Sequence, residues 1–489
     1  MKIPDSLLEG LLKKAGKLTP DQLKDLRAEE KKTGTSLQDL VIKHKFMSDK
    51  ELVALSTTKE KPVGKKQFDS ALLERVVTLL LEYAVRAGAS SIHIEPRETH
   101  VQVRYRIDGL LRQANKLPRA ILESLVSHLK LQGNLPADEF RVPQEARFAV
   151  TLAHKPYTVR VSTLPIADGE KVVLQLLDES SKTLNLEQLG LWGPNLKQLR
   201  DAIANPQGLV LIAGPADAGT STTLYSTLSL LDSPTLNIST IENPVRYRLP
   251  GVNQTQVSPR AGISFANGLR ALLGQDPNVI MVGELGDTET ARLAVQASLR
   301  GHLLFSVVHT SNAAAAVTRL VAMGIEPFLV ASTLRAVVGQ RLVRRLCEHC
   351  RVEYKPASHQ IEDLSNMFGI TDKSQLTKLH QLEELAAKEG VGKDIGNTFG
   401  ITSNKVTRLW KAHPTGCDAC GHSGYKGRIG IFETLPTSEA IQKLIIGQAS
   451  TTAIQSQAIR DGMIPMYIDG FIKVLRAQTS VEEVLRVTS

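Results

Sequence analysis

A chain of 489 residues with 42% apolar and 22% charged side chains has room for about three domains, and it is too apolar to be disordered as a whole. Its net charge of +9 is mild for this length and does not argue for nucleic acid, and aromatic residues at 4% leave few platforms for stacking bases. No run of 18 apolar residues is present, which excludes a membrane-spanning helix, and the opening Met1-Lys2-Ile3-Pro4-Asp5 has no apolar signal segment, so the expected location is the cytoplasm.

Residues 1–60 read as a polar helical module with a faint repeat, Leu12–Leu23 aligning with Val41–Leu52. Each copy carries a helix start, Thr19 with Pro20 and Gln22, and Ser48 with Glu51, whose side chains would satisfy free backbone N–H groups. The Lys-rich stretch from Thr57 to Gln67, with Pro62 and Gly64, reads as a solvated linker and sets a boundary at 61–68. Leu72, Leu73, Val76, Val77, Leu80 and Leu81 predict a helix of about 20 residues from Asp69. Ser91–Glu95 and Val101–Ile107 alternate as strands, the second closing at the turn Asp108-Gly109. Strands Arg147–Leu152 and Tyr157–Ser162 complete an α+β domain over 69–180.

From Gly208 the pattern changes. Leu209–Ala213, Leu236–Thr240, Val279–Val282 and Leu303–Val308 are continuous apolar runs separated by helical stretches, the mark of a parallel sheet covered on both faces. This α/β domain is assigned residues 181–340. After the first run, Gly214-Pro215-Ala216-Asp217-Ala218-Gly219-Thr220-Ser221 has the frame of a phosphate-binding loop between strand and helix. Gly214, Gly219, Thr220, Ser221 and Thr222 are the candidate binding residues, with Ser221 at the position whose hydroxyl would hold Mg²⁺. The lysine of such loops is missing, and Thr220 stands in its place. A charge-assisted hydrogen bond is worth roughly 1.5–3 kcal/mol, so the loss is substantial. Residues 201–245 contain no Lys or Arg to substitute, and Asp217 adds a negative charge. On these residues alone, a plain glycine turn and a nucleotide site both remain open.

Further motifs occur in order: Ile92-His93-Ile94-Glu95-Pro96, Arg104-Tyr105-Arg106-Ile107-Asp108-Gly109, Val161-Ser162-Thr163-Leu164-Pro165 and Gly169-Glu170-Lys171-Val172-Val173. Then come Thr240-Ile241-Glu242-Asn243-Pro244, Gln275-Asp276-Pro277, Val279–Glu284, and Gly301-His302 through His309-Thr310. With these, residues 69–489 strongly resemble the secretion-type ATPases that drive type IV pilus assembly and type II secretion. The resemblance implies a multidomain α/β fold: an N-terminal helical module, a PAS-like α+β domain, a RecA-like ATPase core, a tetracysteine zinc domain and a C-terminal helical domain. It implies a cytoplasmic hexamer, homomeric or mixed with an active paralogue, peripheral to the membrane and docked on an inner-membrane platform protein. Glu242 and Glu284 would organise Mg²⁺ and water, and Arg104, Arg106 and Arg141 would close on the γ-phosphate. His302 and His309 would sense the nucleotide.

The departures from the family pattern also concern charge. Besides Thr220, the residues Gln175, Gly274 and Gly286 stand where arginine is usual, Asn243 replaces Asp, and Arg246 replaces Glu. The resulting expectation is a family member with weak or absent ATP hydrolysis, set against an active motor using compensating arginines. A nucleic-acid-binding RecA-like protein with a zinc ribbon is the reading from a different class. Relatives can bind cyclic-di-GMP through an Arg-Leu-Gly opening, but Pro4-Asp5-Ser6-Leu7-Leu8 stands there, so that ligand is not carried over.

Cys347-Glu348-His349-Cys350 and Cys417-Asp418-Ala419-Cys420 use every cysteine in the chain. Two such knuckles offer four thiolates, which suits structural, tetrahedral Zn²⁺. The 66 residues between them would fold on themselves, with a helix near Gln381–Lys388, giving a domain over 341–432 and a helical tail over 433–489. Arg341, Arg344 and Arg345 read as a subunit interface or a solvated helix end.

Overall fold

The computed structural model describes residues 20–33, 35–44, 46, 69–178, 183–370, 372–402 and 405–488. The chain divides into two compact units, Met1–Leu73 and Glu74–Ser489. In the first, α1 (Pro20–Thr33) and α2 (Leu37–Lys43) bury Leu23, Leu26, Leu37, Leu40 and Val41. Glu30 accepts the Leu37 N–H over 3.2 Å at the start of α2. The two capping boxes, the repeat and the 61–68 linker lie wholly or partly outside the described residues.

Helix α3 (Ser70–Arg86) leads into a six-stranded antiparallel sheet. Its strands are β1 (Ala89–Pro96), β2 (His100–Ile107), β3 (Leu110–Pro118), β4 (Gln144–Leu152), β5 (Lys155–Ile166) and β6 (Gly169–Asp178), in the order β3-β2-β1-β6-β5-β4. Successive side chains alternate between faces. Ile92, Ile94, Val103, Tyr105, Val161, Val172 and Leu174 share the buried face, with α4 (Leu122–Gln132) contributing Leu125, Val126 and Leu129 to the same domain's core. The register puts Arg104, Arg106, Arg147, Arg160 and Lys171 together on the opposite face. Lys130, fully buried, holds the loop before β4: its Nζ lies 2.7 Å from Glu170 and donates to the Glu139 carbonyl over 2.6 Å.

The second sheet begins with β7 (Gly208–Ala213), β8 (Ile238–Glu242), β9 (Val252–Gln256), β10 (Val279–Val282), β11 (Leu303–Val308) and β12 (Leu334–Leu346). Every residue of β7 and β11 is buried, because helices cover both faces. On one face α5 (Gly193–Ile203) and α6 (Thr220–Leu231) pack Leu199, Leu224 and Leu228 against Val210 and Ile212. On the other, α7 (Phe265–Leu273), α8 (Thr288–Leu299), α9 (Ala313–Ala322) and α10 (Pro327–Thr333) pack against Leu209 and Leu211. The expected strand at Leu236–Thr240 starts two residues later, at Ile238, because Leu236 is still bonded into the turn from Ser233.

Beyond β12 the chain makes an excursion: β13 (Val352–Tyr354), α11 (Ser358–Phe368), α12 (Lys373–Lys388), β14 (Ile401–Thr402), β15 (Lys405–Val406) and β16 (Leu409–Lys411). It returns as β17 (Tyr425–Pro436), which pairs antiparallel with β12 and completes the order β17-β12-β7-β11-β10-β8-β9. The boundaries expected at 340/341 and 432/433 therefore fall inside β12 and β17, two strands of the central sheet. Arg341, Arg344 and Arg345 lie on a strand and not at a helix end.

The excursion does not fold on itself alone. After β17 come α13 (Glu439–Ile446), α14 (Thr451–Arg460), α15 (Met466–Leu475) and α16 (Val481–Thr488). Leu364, Phe368, Leu379 and Ala386 share one core with Phe471 and Leu475 of α15 and with Trp192. Arg476, fully buried, donates to the carbonyls of Val391, Gly392, Gly396 and Thr398. Buried Glu383 accepts the N–H groups of Gly400 and Ile401. Long-range polar pairs thus replace the compact loop that local sequence suggests. No helix among the described residues is long and apolar enough to cross a membrane.

Candidate nucleotide site and metal centre

The loop after β7 keeps the backbone form that an anion needs. Asp217 and Gly219 hold φ of +63° and +84°, and Gly219 opens α6 with no side-chain cap. Asp tolerates this left-handed region better than most side chains. The N–H of Thr223 bonds to the Gly219 carbonyl over 3.1 Å. The N–H groups of Thr220, Ser221 and Thr222 stand before it, at the positive end of the helix. The base of the loop is tight, since a Cβ on Gly214 would meet Ala218 and the Gln340 carbonyl at 2.9 Å. Thr220 is buried with its methyl beside Gly214, while the Asp217 carboxylate is exposed at the crest. The donors remain, and the loop adds an exposed carboxylate.

Glu242 ends β8, buried among partners. Its Oε1 accepts from Thr240 Oγ1 (2.6 Å) and Gln254 Nε2 (3.1 Å), and its Oε2 accepts from the Tyr225 hydroxyl. Burial and the Glu242 charge push the Tyr225 phenol well above its ordinary pKa, so it stays a donor. Both carboxylate oxygens are engaged within the domain. Tyr225 and Gln254 lie outside the acidic motif and were not legible from it.

Glu284, just after β10, stands half exposed. Its Oε2 lies 3.3 Å from His309 Nε2, and His309 Nδ1 lies 3.0 Å from the Gly214 carbonyl. A carbonyl only accepts, so Nδ1 carries the hydrogen. Glu284, His309 and the loop are thus brought together. His302 is not: its Nδ1 bonds to the Pro277 carbonyl (2.7 Å) and its own carbonyl accepts from Gly208 N–H. Both contacts are at the entry end of the parallel strands β7 and β11, and seven residues of strand, about 23 Å, separate His302 from His309.

Arg104 and Arg106 are engaged within the first sheet. Arg104 Nη2 donates to Glu95 Oε1 over 2.7 Å, and Lys171 lies 3.1 Å from the same oxygen. Arg106 donates to the Gly109 carbonyl over 2.8 Å. Arg141 is exposed and holds Glu139 by hydrogen bonds that lower its pKa to about 2. The sheet reaches the α/β domain through Arg147 Nη1, 3.3 Å from Gln256 Oε1 at the end of β9, and through Asp108 Oδ2, which accepts the Gly427 N–H over 3.2 Å. Sequence reasoning passed over Arg147 and Arg160, although strand alternation puts both on the basic face. Of the departures, Gln175 faces Ser91 and Arg160 there, Gly274 caps α7, and Arg246 gives its N–H to the Tyr225 hydroxyl (3.1 Å) with its side chain exposed.

Pairing of β12 with β17 brings the four cysteines to one place. Cys347 and Cys417 Sγ are 3.8 Å apart, Cys350 and Cys420 3.9 Å, and Cys417 and Cys420 3.8 Å. All four Sγ atoms lie within 4.8 Å of one another. A tetrahedron with Zn–S of about 2.3 Å has edges of about 3.8 Å, so the donor set fits such a metal with no open position. Burial raises the Cys347 and Cys350 thiols, whereas for Cys420 burial is outweighed by backbone N–H groups of Cys417 and Gly424, which lower it to about 6.

A family profile described as type II/IV secretion system protein matches residues 66–486. The chain is 42% identical over 420 residues to type II secretion system protein E of Aeromonas hydrophila, covering 86% of this chain and 76% of that one. It is 41% identical over 420 residues to type II secretion system ATPase E of Vibrio cholerae, with the same coverage. Type IV pilus assembly ATPase PilB of Thermus thermophilus is 40% identical over 424 residues, 86% of this chain and 44% of that longer protein. Among solved structures, the ATPase DotB of Legionella pneumophila aligns with a TM-score of 0.57 at 19% identity, over 86% of this chain and 96% of that one. The pilus retraction motor PilT with bound ADP aligns with a TM-score of 0.52 at 20% identity, over 84% and 96%. At these identities the structural likeness speaks for the fold alone.

Proposed function

The chain belongs to the type II/IV secretion system protein family, and we propose that it is a nucleotide-site subunit of a type II secretion or type IV pilus assembly ATPase in which hydrolysis is weak or lost. The observation that carries this reading is a phosphate loop with its backbone donors in place and no side-chain cation of its own, beside the exposed Asp217. Phosphoryl transfer depends mostly on positioning and charge compensation, so a cradle without its loop lysine turns over slowly. The reading places the protein on the cytoplasmic side of the inner membrane, in a hexamer of its own copies or mixed with a lysine-bearing paralogue, docked on a membrane platform protein, with no nucleic acid. The tetracysteine set holds structural Zn²⁺ and takes no part in chemistry.

The test is phosphate release by the purified, oligomeric protein with Mg–ATP. Turnover near background is expected, with Thr220→Lys raising nucleotide affinity at least tenfold. Turnover at motor speed, abolished by Glu284→Gln and unaltered by Thr220→Lys, overturns this reading. That result favours an active motor, for which the basic face carrying Arg104, Arg106, Arg147, Arg160 and Lys171 is the supporting observation.

A further inference from the structure

The loop has no basic residue of its own, yet a guanidinium is held at its base by a neighbouring strand. β12 runs parallel to β7 with Gly339 opposite Ala213, so Gln340 and Arg341 extend past the end of β7, alongside the start of the loop. Gln340 touches both bounding glycines. Its carbonyl lies 2.9 Å from where a Cβ on Gly214 would stand, and its carboxamide nitrogen 2.9 Å from the same point on Gly219. Its Oε1 accepts from Thr223 Oγ1 over 2.7 Å, which ties the first turn of α6 to β12.

Arg341 follows directly. Its Nη1 donates to the Gln340 carbonyl over 3.0 Å, and its Nη2 donates to the Ser311 carbonyl, two residues beyond His309. The guanidinium therefore sits just past the ends of β7 and β11, on β12, which runs on to Leu346. Two of its five N–H donors have these carbonyl partners and three remain. Burial draws its pKa below the ordinary arginine value, and the Glu433 charge only partly opposes this. Arginine nevertheless keeps its charge in such surroundings. Arg344 beside it on the same strand is paired with Glu483 at 2.7 Å, and Arg104 with Glu95 at 2.7 Å, whereas among the described residues no carboxylate lies within ion-pair distance of Arg341.

We propose that Arg341 supplies the positive charge for a phosphate chain at this loop, in place of the absent loop lysine, from the face of β12 opposite to the one on which the Gln340 side chain braces the loop and α6. The charge reaches the site from β12 instead of from the first turn of α6. A planar guanidinium suits several phosphate oxygens at once. The inference rests on the nucleotide-site reading above and assigns that site its cation.

The test is calorimetric titration of the full-length protein with Mg–ATP and, separately, with inorganic tripolyphosphate. Arg341→Gln is expected to weaken both at least tenfold, and Thr220→Lys added to Arg341→Gln to restore most of the loss. Equal binding by the unsubstituted protein and Arg341→Gln overturns the assignment while leaving the nucleotide site standing. No binding of either probe by the unsubstituted protein overturns both. Should Arg341→Gln melt non-cooperatively, Arg341→Lys decides: binding within threefold supports the charge role, and a tenfold loss with unchanged melting overturns it.

Discussion

The hydroxyl of Tyr225 on α6 donates to Glu242 at the end of β8, and both groups are buried. The helix that follows the phosphate loop is thereby tied to the acidic motif three strands away from β7 in the sheet. Tyr225→Phe leaves a buried carboxylate oxygen without its donor, at a cost of about 1–3 kcal/mol. The melting temperature of Tyr225→Phe is expected to fall by several degrees, as read by scanning calorimetry. An unchanged melting temperature would show that Glu242 finds its partners elsewhere.

Asp469 and Lys473, one turn apart on α15, are fully buried. Asp469 accepts from Trp192 Nε1 (2.6 Å) and Phe432 N–H (2.7 Å), and Lys473 donates to the Gly430 carbonyl (2.8 Å). Burial raises the Asp469 pKa and lowers that of Lys473, each against the pull of its partner. Removing one member leaves an unpaired buried charge, so Asp469→Leu is expected to cost about 3–5 kcal/mol. Asp469→Leu/Lys473→Met is expected to be less damaging than Asp469→Leu alone, measured by thermal melting of the three proteins side by side.

Glu483 on α16 carries a pH dependence. Burial opposes its charge, but bonds from Arg486 and Arg344 outweigh this and lower its pKa from 4.5 to about 2. The folded value lies below the unfolded one, so the stabilisation is complete above pH 4.5 and fades as pH falls from there toward 2. Its size is at most about 3 kcal/mol. Glu483→Gln is expected to melt below the unsubstituted protein at pH 7, with the gap narrowing between pH 4.5 and 3. A gap independent of pH would refute the assignment.

The tetracysteine set is expected to hold one metal ion per chain, zinc by its ligands. Elemental analysis of freshly prepared protein checks this, as does loss of bound metal in Cys350→Ser. Because Cys347 and Cys420 sit beside the β12–β17 pairing, metal removal by a chelator is expected to lower the melting temperature. Substoichiometric metal in fresh protein with unchanged stability would count against the site.

How much of this was legible in sequence depended on the range of the contact. The runs Val279–Val282 and Leu303–Val308 are strands as read, because a doubly covered strand writes its burial into consecutive residues. The cysteine pairs were legible because each knuckle is local. β12 was not: its Arg341, Arg344 and Arg345 interrupt the apolar run, and the strand that pairs with it lies some ninety positions later. The engagement of Glu242 was hidden for the same reason, since Tyr225 and Gln254 flank it at 17 and 12 residues. His302 and His309 look equivalent in a motif, and only strand direction tells them apart.

Gln340 and Cys347 are seven positions apart on one run of β12 and the turn beyond it. A strand turns each successive side chain over, and the one irregularity in this stretch, at Arg344–Leu346, is already part of the register that sets both groups, so inserting or deleting one residue between them would displace either the brace or the thiolate. The length of this stretch is therefore answerable to two unrelated chemistries at once. The residues between Cys350 and Cys417 are anchored at both ends by the thiol cluster, and growth there need disturb neither. Natural variation in chain length among related proteins should accordingly be forbidden in the short stretch and concentrated in the long one.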